Sequence, residues 1–241
     1  QLQHAGREGR GTADVVGLDT VAHVIDSMQA TLADDPWRAH FRTPDWLQAL
    51  IAQGARELTV VNNNAGNGDT GLAALIAAGR VRKIICSFPR QADSHHFDRA
   101  YRAGHIELEL VPQGNLAERI RAAGAGIGGF FTPTGYGTDL AQGKEVRELD
   151  GRMQVFETPL HADFAFIKAE RGDRWGNLTY RMTARNFGPV MAMAAKTTIA
   201  TVHRIVGLGE LDPEAVVTPG IFVQRIVKID RSITVGGGAR D

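Results

Sequence analysis

Between residues 57 and 111 the apolar positions fall into three runs, ELTVV (57–61), VRKIICSF (81–88) and IELELV (106–111). The first two contain short continuous apolar stretches, which predict strands covered on both faces; the third alternates and predicts a strand of period two. The segments between them carry apolar residues at helical spacing. Residues 69–78 predict a helix with Asp69 or Thr70 as its cap, and residues 97–103 predict a second that Gly104 stops. Residues 116–123 (LAERIRAA) predict a third, with arginines toward the C-terminal end, where the helix dipole favours them. Strand and helix thus alternate roughly every 25 residues, the signature of a parallel sheet with helices on its faces.

After Gly124 the pattern changes. GAGIGGFFTPTGYG (124–137) predicts a glycine-rich loop, and residues 146–157, 162–169 and 177–181 predict strands of an antiparallel portion. ERGDRWGN (170–177) predicts a solvated turn. A helix is expected over 189–196, opening at Pro189, and a strand over 197–206. Upstream, residues 1–20 are polar and glycine-containing and predict a loose arm, residues 21–32 fit a helix, and 34–43 show no clear period. A further helix is expected with Thr43 as cap and Pro44 at its first position, ending at Gly54. The expected organisation is an atypical, unordered N-terminal segment over 1–42, one domain over 43–230 and a tail over 231–241. The fold class is α/β: a mostly parallel sheet flanked by helices, with a smaller antiparallel portion.

Composition narrows the class. The chain has 241 residues and is 43% hydrophobic, ample for a core. Lys plus Arg equals Asp plus Glu, 27 each, which argues against a nucleic-acid or anionic-membrane partner. Cys86 is the one cysteine, so no internal disulfide or multi-thiolate zinc site can form, and a reducing cytoplasm suits the chain. No apolar run approaches the ~20 residues of a membrane-spanning helix, and the first residues lack a secretory-signal pattern.

The candidate chemistry lies where strands end. In open α/β sheets ligands bind beyond the carboxyl ends of the strands, and Asn62-Asn63-Asn64-Ala65-Gly66-Asn67-Gly68 occupies that place after the first run. Uncharged amides can hold a carbonyl or thioester oxygen, and glycines let backbone N–H groups approach a ligand. The same residues also fit a plain loop in which asparagines cap a helix or adopt left-handed conformations. Val111-Pro112-Gln113-Gly114-Asn115 ends the third strand, so Gln113 is a second amide at the same edge; the bland account is a turn with Asn115 as helix cap. Arg90, in SFPRQ, has the chemistry to grip a substrate carboxylate in a bidentate manner or to sit as a solvated loop residue. Ser87 reads as a hydrogen-bonding turn residue and Cys86 as packing. His95 and His96 are adjacent, which predicts side chains on different sides of a helix, and no metal is expected. The glycine-rich loop matches neither the Walker nor the dinucleotide fingerprint and reads as a tight interface or a substrate loop. No GxSxG, HExxH or CxxC occurs. Polar loops without an activated nucleophile suggest half of an active site.

Three long segments carry a resemblance: VVNNNAGNGDTGLAALIAAGRVRKIICSFPRQ, ELELVPQGNLAERIRAAGAGIGGFFTPTGYGT and HADFAFIKAERGDRWGNLTYRMTARNF. Together they resemble the A (alpha) subunit of the 3-oxoacid CoA-transferase family, over about residues 43–227. SFPRQ with NAGNGDTGLAAL is more similar to the 3-oxoadipate branch than to the succinyl-CoA:acetoacetate branch. The resemblance implies a CoA-transferase fold and a heteromer with a B subunit, two A plus two B. It implies an acyl-CoA and a 3-oxo acid as substrates, with the CoA thioester as substrate and no permanently bound cofactor. It places the nucleophilic glutamate on the B subunit, so no catalytic nucleophile is expected here, and it implies substrate-orienting roles for Asn63 and Gln113. Arg90 as a contact to a distal carboxylate is a separate expectation of ours. An acetoacetate-type CoA-transferase and a non-catalytic ligand-binding α/β domain are the alternatives. One departure stands out: the family's Gly-Gly-Phe-Gly stretch after a short strand has no counterpart in DDPWRAHFRT (34–43). That leaves a sheet strand and the glycines near the CoA or subunit interface without an assigned segment, and makes the competence of the chain a matter for assay.

Overall fold

The structure, a computed structural model, describes residues 14–16 and 54–229. The helices expected over 21–32 and from Thr43, the aperiodic stretch 34–43 and the tail over 231–241 lie outside the described residues. The main sheet contains β1 (Asp14–Val16), β2 (Leu58–Val61), β3 (Val81–Cys86), β4 (Glu107–Leu110), β8 (Ala162–Asp173), β10 (Ala195–Val206) and β11 (Arg225–Lys228). Their order is β11-β10-β8-β1-β2-β3-β4 and every pairing along it is parallel. β9 (Leu178–Thr179) adds antiparallel to the end of β8. The α/β class with a mostly parallel sheet is therefore correct.

The apolar runs have a simple cause. Val60 and Ile84 belong to one core with Leu72, Leu75, Ile76 and Phe97, supplied by helices α1 (Gly71–Ala77) and α2 (His95–Arg102). The next residues, Val61 and Ile85, belong to a second core with Leu116, Ile120 and Met191, supplied by α3 (Gln113–Gly124) and α4 (Ala184–Ala194). Successive strand residues face opposite ways, so a strand buried on both faces must be apolar at every position. β4 is the edge strand and is polar at alternate positions: Lys83 of β3 reaches Glu107 at 2.9 Å and Glu109 at 2.8 Å.

Several expectations need correction. The loose arm over 1–20 contains β1, which pairs with β2 on one side and β8 on the other; Val15 and Val16 are β-branched and suit a central strand. The region after Gly124 is not mainly antiparallel, because β8 and β10 run parallel over ten paired positions. ERGDRWGN is not all turn: β8 continues to Asp173, and Gly172 is buried where a Cβ would lie 3.0 Å from Ile226 and from Leu178. The run over 146–157 is two strands, β6 (Val146–Leu149) and β7 (Arg152–Glu157). They join through Asp150 and Gly151, both at positive φ, as a two-residue hairpin demands. With β5 (Phe130–Thr132) they form a separate antiparallel sheet, order β5-β7-β6. α4 begins at Ala184, so Pro189 sits inside the helix and does not open it. α3 begins at Gln113, so Asn115 is no cap but a buried helical residue. Gly124 is where the expected tight interface is real: a Cβ there would fall 2.4 Å from the Cβ of Met193 in α4. Among the described residues no helix is long and apolar enough to cross a membrane.

Candidate functional site

The carboxyl edge of β2, β3 and β4 presents the amide-rich loop, and its four asparagines have different jobs. Asn62 is buried; its amide donates to the Asn64 carbonyl at 3.0 Å and to Asn64 Oδ1 at 3.3 Å. Asn64 Oδ1 accepts from the Gly66 N–H at 3.0 Å. Gly66 is at φ 82°, and a Cβ there would meet the Ala73 nitrogen at 2.6 Å, so only glycine lets the loop close onto α1. Asn67 Oδ1 accepts the Asp93 N–H at 2.9 Å, while the Gly68 N–H donates to the Asp93 carbonyl at 2.8 Å and the Ser94 hydroxyl to the Gly66 carbonyl at 3.2 Å. Three asparagines thus shape the loop and fasten it to the segment before α2.

Asn63 is the exception. It is exposed, and the Ser87 hydroxyl donates to its Oδ1 at 2.6 Å. Its backbone carbonyl accepts from the N–H groups of Ser87, at 3.2 Å, and Phe88, at 2.9 Å. The oxygen end of the amide is held, and the NH2 end makes no bond among the described residues. The bland account of the loop holds for Asn62, Asn64 and Asn67, while Asn63 keeps the exposed NH2 group that the functional account requires.

Gln113 is exposed at the first position of α3, and its side-chain amide is likewise without a bond among the described residues. Gly114 beside it has open space where a Cβ would stand. β3 lies between β2 and β4, so the chain exits bearing Asn63 and Gln113 are separated by two strand spacings, about 10 Å. They flank Ser87 and Phe88; Phe88 is 63% exposed and supplies an apolar surface between the two amides. The helix bearing Gln113 is anchored by charge. Arg119 of α3 donates to Glu109 Oε1 at 2.7 Å and to the Thr158 carbonyl at 2.8 Å. Buried Glu157 accepts from Lys144 at 2.8 Å and from Asn115 at 3.1 Å. Burial pushes the Glu109 carboxyl upward, but the bonds from Lys83 and Arg119 outweigh it and hold the group below the usual carboxylate range.

Arg90 is exposed, and its Nε donates to Asp98 of α2 at 2.7 Å. The terminal nitrogens make no other bond among the described residues. The expectation for the two adjacent histidines is overturned. His95 and His96 open α2, and both reach Asp69 Oδ1, at 3.2 Å and 2.8 Å. Asp69 therefore does not cap α1, and Thr70, at the cap position, makes no side-chain cap bond either. The His96 bond holds Asp69 below the usual carboxylate range.

Sequence reasoning missed Ser87 as the partner of Asn63. Parallel register supplies the signal: Val61 pairs with Ile85, so two residues on, Asn63 meets Ser87, and Asn64 bridges Phe88. A cleft of about 280 Å³ lined by Asp173, Trp175, Ile205 and Arg225 lies on the other half of the sheet, away from both amides.

Comparisons with known proteins identify the family. The sequence profile of the family described as Coenzyme A transferase matches residues 39–229. The A subunit of the 3-oxoadipate CoA-transferase of Pseudomonas putida is 72% identical over 183 residues, covering 76% of this chain and 79% of that protein. The A subunit of a succinyl-CoA:3-ketoacid coenzyme A transferase of Xanthomonas campestris is 52% identical, over 75% of this chain and 74% of that one. Among solved structures, the acyl-CoA transferase apoenzyme of Escherichia coli O157:H7 superposes with a TM-score of 0.70 at 21% identity, covering 99% of this chain and 48% of that one. Glutaconate coenzyme A-transferase of Acidaminococcus fermentans does so at 0.68 and 19%, covering 95% and 75%. Profile, relatives and fold converge: this chain belongs to the coenzyme A transferase family.

Proposed function

We propose that the chain is the A subunit of a cytoplasmic enzyme that moves CoA from succinyl-CoA to 3-oxoadipate, with a B subunit supplying the attacking glutamate. The substrate assignment leans on two relatives named as A subunits of 3-oxoadipate CoA-transferase, at 72% and 65% identity. The observation that carries the site is Asn63: an exposed amide whose oxygen is held by Ser87 and whose NH2 end is left for a ligand.

The chemistry explains why amides suit the task. A glutamate carboxylate attacks the thioester carbonyl of succinyl-CoA and expels CoA thiolate, leaving an acyl–glutamyl anhydride. The thiolate attacks the glutamyl carbonyl and releases succinate, leaving a glutamyl-CoA thioester. The carboxylate of 3-oxoadipate then attacks that carbonyl, thiolate leaves, and its return to the acyl side yields 3-oxoadipyl-CoA and free glutamate. No proton need be transferred, so no acid or base is required of this chain. Each addition puts negative charge on a carbonyl oxygen, and fixed N–H donors stabilise it. Asn63 and Gln113 are such donors in this reading, and Arg90 takes the distal carboxylate that 3-oxoadipate has and acetoacetate lacks.

The deciding experiment mixes the purified chain with a B subunit and follows CoA transfer from succinyl-CoA to 3-oxoadipate and to acetoacetate in competition. Transfer with 3-oxoadipate preferred is expected, from an assembly of two A and two B by light scattering; no transfer, or preference for acetoacetate, overturns the assignment. Arg90→Ala should cut the preference for 3-oxoadipate about tenfold, the effect of losing one charge-assisted contact; an unchanged preference removes Arg90 from the site.

A further inference from the structure

Where the asparagine loop meets α2, three side chains from two segments converge. Asp69 closes the loop, and His95 and His96 open the helix. One potential ligand atom from each of the three lies within 4.8 Å of the others. His96 Nε2 stands 2.8 Å, and His95 Nε2 3.2 Å, from Asp69 Oδ1. A tetrahedral ion with bonds of about 2.0–2.1 Å holds its ligand atoms about 3.3 Å apart. The cluster is therefore within a small side-chain adjustment of a coordination shell. The two imidazole rings have centroids 4.0 Å apart and are tilted by 45°, and the Nε2 atoms of both face the same Asp69 oxygen.

The second observation is the outer partner. His95 Nδ1 lies 2.7 Å from Asp93 Oδ1. A carboxylate on the far ring nitrogen fixes the ring and leaves the near nitrogen facing the ion, the arrangement on which metal-ligating histidines rely. Asp69 is exposed and both histidines are partly so, which gives a hydrated ion access and room to keep a water.

We propose that Asp69, His95 and His96 bind a divalent cation of the zinc class, oriented by Asp93. Two imidazoles and one carboxylate suit such an ion, and a fourth position stays open for water. Its role is a clamp. The loop that carries Asn63 is already tied to the segment before α2 by Gly68, Asn67 and Gly66, and an ion at Asp69 crosslinks the open end of that seam. The site takes no part in the acyl transfer and stands whether or not the substrate assignment does.

The test is calorimetric titration of untagged, chelator-stripped full-length chain with Zn²⁺. One ion per chain is expected. Asp69→Asn and His96→Gln should each weaken binding by about tenfold or more, and Asp93→Asn by about 10–100-fold, the range for an outer-shell carboxylate. His105→Gln and His161→Gln, exposed and outside the cluster, should leave it unchanged. Cobalt(II) in the same titration should show the visible absorption of a four-coordinate site. Absence of stoichiometric binding, or a loss smaller than about tenfold in either Asp69→Asn or His96→Gln, overturns the proposal. The variants' unchanged thermal midpoints without zinc confirm that they fold.

Discussion

Two carboxyl edges of one sheet treat their polar groups in opposite ways. At the end of β8, Asp173 is buried and its oxygens accept the N–H groups of Trp175 at 2.9 Å and Asn177 at 3.0 Å, and the Asn177 amide at 2.9 Å. Asn177 Oδ1 in turn accepts the Gly220 N–H at 2.9 Å. The three bonds to Asp173 close a turn, and the fourth ties that turn to the segment around Gly220. At the ends of β2 and β4, Asn63 and Gln113 stand exposed; among the described residues one has its oxygen fixed and its NH2 end open, the other its whole amide open. Polarity alone does not separate an architectural residue from one that keeps hydrogen-bonding capacity for a ligand. What separates them is whether the hydrogen-bonding capacity is already used within the fold.

Removing each type of group tests this contrast. The largest effect on turnover is expected for Asn63→Ala. Loss of one donor to a developing oxyanion should lower kcat about 10²–10³-fold, while the urea midpoint hardly moves because the side chain is exposed. A kcat within about threefold of the parent, far short of an oxyanion donor's effect, would break the contrast. Asp173→Ala should do the reverse. Stranding three donors should cost about 3 kcal/mol of stability, read from urea unfolding, with turnover per folded molecule unchanged; a collapse of kcat in the folded fraction would show the β8 edge to be part of the site. Ser87→Ala sharpens the comparison, since it frees Asn63 without deleting it. Turnover should fall by a few-fold, about 1 kcal/mol, and Ser87→Thr should restore part of it.

The smallest effect is electrostatic. Glu109 is held below its ordinary pKa when folded, so its contribution is fully present above the unfolded value, about 4.3, and is lost as pH falls through the lower folded value. Glu109→Gln should therefore lower the unfolding free energy at pH 7, read from urea unfolding, by less than about 1 kcal/mol because the carboxylate is partly solvated. The difference from the parent should shrink as the pH falls below about 4. A difference that grows on acidification would reverse the sign assigned to the group.

The strands and their faces were legible because Val60-Val61 and Ile84-Ile85 must satisfy two cores at once, and nothing but a strand covered on both sides needs four such residues in two pairs. The edge bearing Asn63 and Gln113 followed from the same logic. Harder to see were features fixed by register and depth. Ser87 meets Asn63 only through parallel pairing. The Asp150-Gly151 turn was present in the letters, but continuous β propensity on both sides masked it. Asn115 looks like a cap until Glu157, far along the chain, is placed against it. The adjacency of His95 and His96 argued for divergence, and it took the position of Asp69 at the start of α1 to draw both rings the same way.

β1 has a consequence for how the molecule comes apart. It is three residues long, and in the sheet order it alone stands between β2–β4 and β8–β11. Among the described residues, the core under α3 and α4 runs fully across that junction, whereas the core under α1 and α2 crosses it through one partly buried residue, Phe166 of β8. Such a ladder behaves as a narrow seam glued firmly on one side and thinly on the other, so partial opening is expected to start on the thin side, with the amide edge loosening while β8 and β10 stay zipped.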